Sequence, residues 1–383
     1  MADGLTALIS SLGISNEAFI ALAVMVLLII GAVIVVIVSR PILDIYPYLL
    51  PNARVRARKG RLFNEKHFSE IIEADDINEI VNYLRGFPDY ADIDDKAIEK
   101  SLDLQLASTY NLVSKIAPEN IRKAFIALAK KFDIANIKTL ITAKDANLSR
   151  ESTIELLIHS GKNYETIESL ADSLNVEDII SGLDSTEYYS VLEDALNRYK
   201  ETKTVLPLES ALDNYYLENL LSATSVPAND NTAILYSFIG TQVDIANIKL
   251  ILRAKADGLS FEDMDYYMIK NGHDVKEWKL KDLMESEDVS GVISGLDGTD
   301  YAPILNETLN DYNETGSIGV FEKVLDEYLS KYANSLSLKN PLGIGPMVGF
   351  LNQKEKEIKN LKIVARAKRE ANFPNSKIQE LLV

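Results

Sequence analysis

Ala18–Ser39, AFIALAVMVLLIIGAVIVVIVS, contains no charged residue, and the charges that bound it are Glu17 and Arg40. As a helix its 22 residues are about 33 Å long, which matches the ~30 Å hydrocarbon core of a bilayer. The flank before it is acidic (Asp3, Glu17), and the run ends in Arg40-Pro41. A signal peptide has a basic start, a shorter apolar core and a small-residue cleavage site, so this pattern predicts an uncleaved membrane helix. Pro41, Pro47 and Pro51 are expected to break the connection that follows, with Asn52 as the N-cap of a new helix.

Beyond this point apolar residues recur at helical spacing. Ile134, Ile137 and Ile141 stand three and four apart, and LPLESALDNYYLENLLS and SIGVFEKVLDEYLSKYANS follow the same period. Breaks are expected at Pro88, Pro118, Pro207, Pro227, Gly291 and Pro341. No stretch alternates convincingly with the period of two that a strand needs, so the pattern predicts an all-α body.

The helical pattern repeats. DIANIKTLITAKDANLS (Asp133–Ser149) aligns without gaps to DIANIKLILRAKADGLS (Asp244–Ser260). A weaker copy, EIKNLKIVARAKREANFP (Glu357–Pro374), keeps Asn360, Lys362, Ala367 and Lys368 at the places of Asn136, Lys138, Ala143 and Lys144. A second marker, ISGLD, stands at Ile180–Asp184 and Ile293–Asp297, each followed by an LD in an aromatic-rich stretch, Leu212-Asp213 and Leu325-Asp326. Leu102-Asp103 suits a first copy, with NYLRGF (Asn82–Phe87) as a faint counterpart of the GL marker. Units of roughly 110 residues are long enough to bury their own cores, so the period predicts three similar helical domains rather than a solenoid. Within each marker the isoleucines belong to a core, Asp133 is expected to accept from its helix N-terminus, and Asn and Asp are expected to cap or bridge neighbours.

Charge narrows the function classes. The net charge of −17 argues against nucleic-acid binding, which needs a basic surface to neutralise phosphates. The chain has no cysteine, and His67, His159 and His273 show no metal-ligand spacing. PLGIGPMVG (Pro341–Gly349) matches no phosphate-binding motif and reads as a loop with a close helix approach. The acidic groups EDMD (Glu262–Asp265) and ESED (Glu285–Asp288) do not match a calcium loop. No cofactor, metal, small-molecule substrate or catalytic residue is expected. One basic cluster stands out. Arg54, Arg56, Arg58, Lys59 and Arg61 follow the apolar run, while its other flank has no cation, and the positive-inside rule then puts the body on the cytoplasmic side of the cell membrane.

NARVRARKGRLF (Asn52–Phe63), the repeated DIANIK blocks and NPLGIGPMVGFLNQKEKEIKNLKIVARAKREANFP near the C-terminus together resemble the family that unites the C subunit of archaeal A-type ATP synthases with the d subunit of vacuolar-type ATPases. The resemblance runs from roughly Pro47 to the end of the chain. It implies three pseudo-equivalent domains forming a funnel, seated on the membrane rotor ring and receiving the central stalk in its mouth. It further implies a non-catalytic rotor subunit that transmits torque between the two. The apolar helix departs from the many family members that are wholly soluble.

The expected partition is a tail, membrane helix (about 18–39) and linker over 1–46, then repeats over 47–160, 161–272 and 273–383, the last with a C-terminal segment pairing back to the bundle. Arg54, Arg56 and Arg58 are the expected ring or membrane contacts. Lys138, Lys249 and Lys362, repeated with the markers, are the expected supports of the stalk socket. The rival expectation is a membrane-anchored helical scaffold unrelated to a rotary ATPase.

Overall fold

A computed structural model describes residues 15–225, 230–258, 264–370 and 373–382. Asp3, Pro227, Glu262 and Asp263 of the sequence argument lie outside them. The chain divides into two units, one up to Leu50 and one from Pro51 onward.

The described residues of the first unit are helical from Asn16 onward. Helix α1 (Asn16–Lys59) begins in it, and Ile20, Leu27, Val35, Ile37 and Leu43 are all more than half exposed. Among the described residues it is the only helix long and apolar enough to cross a membrane. Pro41, Pro47 and Pro51 do not end it, contrary to expectation, and Asn52 caps nothing. Each proline removes one N–H from the ladder, and the residues between them keep theirs.

The second unit contains no strand among its described residues. After α1 come α2 (Glu65–Ile72), α3 (Ile77–Arg85), a 3-10 turn at Pro88–Tyr90, α4 (Ile98–Ile116), α5 (Glu119–Ala129), α6 (Lys131–Asp145), α7 (Arg150–Leu156), α8 (Tyr164–Ser169) and α9 (Val176–Gly182). Then follow α10 (Tyr188–Thr202), α11 (Leu206–Ser225), α12 (Asp230–Ala256), α13 (Glu277–Glu285), α14 (Val289–Gly295) and α15 (Tyr301–Glu307). The last are α16 (Leu309–Thr315), α17 (Gly319–Lys339), α18 (Gly345–Ala367) and α19 (Asn375–Leu381).

Local chemistry fixes corresponding helix starts in the same way. Asp76, Asn175 and Asp288 have φ of −146°, −148° and −145°, and each side chain accepts the backbone N–H three residues on, from Glu79, Asp178 and Gly291. Such a cap contributes about 1 kcal/mol. Gly291 therefore sits inside a helix rather than breaking one. Leu84, Leu183 and Leu296 each stand eight residues after these caps and are fully buried, which is where NYLRGF and the two GL markers fall.

Two apolar clusters follow the markers. One joins Ile134, Ile137 and Ile141 to Ile179, Tyr188 and Leu212. The other joins Ile245, Ile248 and Ile251 to Val292, Tyr301 and Leu325. Helix α18 packs instead on α4, from the opposite end of the sequence, and buries Ile358, Leu361 and Val364. Its approach to α17 is close. A Cβ on Gly345 would lie 2.7 Å from the Asn340 carbonyl oxygen, and one on Gly349 would lie 3.0 Å from Ser337 Cβ. The glycine cluster thus serves a loop and a close helix approach, as its sequence indicated.

Candidate functional site

The three marker helices α6, α12 and α18 carry one bonded frame. At the first position is a buried acid. Asp133 accepts from Asn163 N (3.0 Å), Asn163 Nδ2 (2.9 Å) and the Tyr188 hydroxyl (3.2 Å). Asp244 accepts from Asp274 N (2.7 Å), Val275 N (3.2 Å) and the Tyr301 hydroxyl (2.9 Å). Glu357 accepts from Phe63 N at 3.1 Å, and Tyr90 is its aromatic neighbour. Asp133 therefore does not serve its own helix terminus but ties down a loop 30 residues away.

Burial pushes all three carboxyls above their ordinary range, against the hydrogen bonds that pull them down. The loops come so close that a Cβ on Gly161 or Gly272 would overlap the Oδ1 of Asp133 or Asp244. At Gly161 the backbone φ of +114° also excludes most L side chains. The third copy adds a charge. Lys354, 1% exposed, lies 2.9 Å from Glu357 Oε2 and donates to the Tyr90 hydroxyl at 2.9 Å.

One turn on stands the buried amide. Asn136 donates to Ile158 O (2.8 Å) and accepts from Ile158 N (2.7 Å); Asn247 donates to Ile269 O (2.7 Å) and accepts from Ile269 N (2.9 Å). Asn360 is buried at the corresponding place on α18. Next comes an ion pair to the LD helix. Lys138 pairs with Asp213 at 2.7 Å, Lys249 with Asp326, and Lys362 with Asp103. A further turn on, Thr142 donates to Glu209, Arg253 to Glu322 and Arg366 to Glu99. The LD aspartates and the marker lysines, two separate sequence signals, are thus partners. Burial raises the Asp326 carboxyl, but Lys249 and Lys359 outweigh it and hold the group below its usual range.

These helices, together with α4, α5, α11 and α17, line a half-open cavity of about 380 Å³. Corresponding positions of the three helices reach its wall as Lys131 from α6, Gln242 from α12 and Glu355 from α18, and Lys249 of α12 and Asn352 of α18 add further polar groups. Lys131 and Glu355 form an ion pair, Tyr110 also donates to Glu355, and the Lys131 ammonium lies 4.8 Å from the Tyr110 ring centroid. The rest of the wall is mainly apolar, with Phe238 and Leu351 prominent.

Of the expected socket residues, Lys249 lines this cavity together with Asp213 and Asp326, while Lys138 and Lys362 sit in equivalent pairs outside its lining. The expected ring contacts lie elsewhere. Arg54 is exposed, Arg56 donates to Pro341 O at 2.6 Å, and Arg58 is 3.9 Å from Asp89. Beside them, Asn52 donates to Gly343 O at 2.9 Å. Sequence reasoning missed Lys131, Gln242 and Glu355. A signal was present, because each stands seven residues before a marker lysine and so shares its helix face.

The family described as ATP synthase (C/AC39) subunit matches residues 51–381. The chain is 58% identical to the A-type ATP synthase C subunit of Methanobrevibacter smithii and 54% identical to that of Methanothermobacter thermautotrophicus, in both cases over the full length of each chain. It is 30% identical to the A-type ATP synthase C subunit of Pyrococcus horikoshii, over 88% of this chain and 90% of that one.

Proposed function

The chain belongs to the ATP synthase (C/AC39) subunit family, and we propose that it is the rotating adaptor that couples the membrane ring of an A-type ATP synthase to the central stalk. It is a structural subunit of the synthase, without an active site of its own. An adaptor of torque needs two docking surfaces on a body stiff enough not to yield between them.

The observation that carries the proposal is the bonded frame that recurs on three helices around one cavity. On this reading three pseudo-equivalent domains form a funnel, and the cavity is the floor of the socket that takes the stalk. Lys138, Lys249 and Lys362 are its supports, because each locks a marker helix to its LD helix. The partition 47–160, 161–272 and 273–383 follows the markers in chain order. The hydrogen bonds favour grouping each marker helix with the elements after it, so that α18 completes its domain with α2, α3 and α4.

The second surface faces the membrane. Helix α1 is the single-pass anchor, the body lies on the cytoplasmic side, and lipid covers the apolar residues. Arg54, Arg56 and Arg58 follow directly in the chain and contact the ring or the headgroups. The test is extraction of the tagged full chain from native membranes in mild detergent. Ring and stalk subunits should both accompany it, and the combined Arg54→Glu, Arg56→Glu and Arg58→Glu variant should retain the stalk while losing much of the ring. A chain recovered without ring or stalk subunits refutes the adaptor role.

A further inference from the structure

The frame that holds the three marker helices is repeated in kind at three levels: acid (Asp133, Asp244, Glu357), amide (Asn136, Asn247, Asn360) and lysine (Lys138, Lys249, Lys362). Of these nine residues only Lys249 reaches the cavity wall, so the frame makes the three helices alike behind the wall, and on the funnel reading it leaves an inserted shaft three similar orientations, a third of a turn apart. The layer two residues before each acid differs. It reads Lys131, Gln242, Glu355, with charges of plus one, zero and minus one, and all three side chains face the cavity. Lys131 and Glu355 pair with each other, yet their side chains remain 29% and 28% exposed. Asp213, Lys249, Asp326 and Asn352 also lie on the wall, and the Lys131–Gln242–Glu355 layer is where equivalent helix positions carry unlike charge, so the wall presents an uneven charge pattern to whatever enters.

We propose that the Lys131–Gln242–Glu355 layer is a key that fixes the rotational register of the stalk in its socket. The inference rests on the cavity being the stalk socket. The stalk end that fits carries an acidic group toward Lys131 and a donor toward Glu355. Turning it by a third brings the acidic group to Gln242 or against Glu355, where like charges oppose each other. Tyr110 holds Glu355 in place from the wall, so the negative end of the layer does not swing away. Charge pattern selects among orientations that shape leaves equivalent.

The chain has no cysteine, so engineered single cysteines report register without background. Ala135, Ala246 and Lys359 are the positions one turn beyond the key on the three helices, and all three are at least partly exposed. Each is replaced by cysteine in turn, in the full chain, and oxidised against a stalk bearing one cysteine at its docking end. Capture of the stalk is measured first. One position should cross-link roughly tenfold more than the other two, the ratio that ~1.4 kcal/mol of orientation energy gives.

Lys131→Gln combined with Glu355→Gln makes all three key positions glutamine and should bring the cross-links to near equality. Lys131→Glu combined with Glu355→Lys keeps an ion pair and should move the preferred position, which covers the case in which the neutral variant does not fold. A chain that never captures the stalk sinks the socket reading itself, and the key with it. A chain that captures the stalk but cross-links equally at three positions sinks only the key. So does one that keeps a single unchanged position in every variant that captures the stalk.

Discussion

Asp244→Asn isolates what the buried acid contributes. The native carboxylate is fully buried and takes three donors: Oδ2 accepts from Asp274 N and the Tyr301 hydroxyl, and Oδ1 accepts from Val275 N. Asparagine has one acceptor oxygen. Placed at the Oδ2 position, it keeps Asp274 N and Tyr301 and turns its NH₂ toward the Val275 N–H. That leaves a buried donor unpaired, which costs about 1–3 kcal/mol, and removes the charge assistance from the two remaining bonds, about another 1 kcal/mol. Against this stands relief of a desolvated charge, the effect that holds the carboxyl above its ordinary range.

The net expectation for Asp244→Asn is a loss of about 2–3 kcal/mol. For a folded body of roughly 330 residues the unfolding entropy near 60 °C is about 0.7 kcal/mol/K, so the thermal midpoint should fall by about 3–4 °C. The assay is thermal unfolding of the detergent-solubilised full chain, followed by far-UV circular dichroism. Asp133→Asn is the internal control. Its partners are a backbone N–H, an amide and a tyrosine hydroxyl, and its loss should agree within about 1 kcal/mol. A neutral result at Asp244, or a large effect at one site and none at the other, would refute the claim that these acids hold equivalent loops.

Lys354→Met leaves Glu357 buried without its cation and should cost about 3–5 kcal/mol at neutral pH. The sign with pH follows from the raised Glu357 carboxyl. Its charge is a burden above the folded pKa and is relieved by protonation, so the gap to wild type should narrow as the pH falls toward the ordinary value of 4.5 in a series of thermal midpoints. Gly345→Ala places a methyl against the end of α17 and should lose about 1–3 kcal/mol, whereas Gly258→Ala, with open space at its Cβ, should lose less and only through its φ of +71°; urea titrations of the two separate contact from backbone strain.

Much of the helical pattern was legible because it is local. The period of Ile134, Ile137 and Ile141 marks a buried face, and all three are in the core. The partners of that face were not legible. Lys138 and Asp213 were both visible as repeated residues 75 positions apart, but periodicity gives the direction of a side chain and not the helix it meets. The attachment of α18 to α4 joins residues up to 267 positions apart, beyond the reach of any spacing rule. The prolines of α1 misled for another reason. Their local cost was read correctly, but a helix can lose single bonds and continue. The cavity layer was hidden because Lys131, Gln242 and Glu355 differ in kind, and a search for repeats passes over the position where copies diverge.

The most direct test of the adaptor is a density map of the intact synthase. It should show the end of the central stalk inside the cavity between α6, α12 and α18, with side chains of the stalk within about 4 Å of Lys131, Gln242 and Glu355. A map in which the stalk attaches to another face of this protein and leaves the cavity without an occupant would contradict the account.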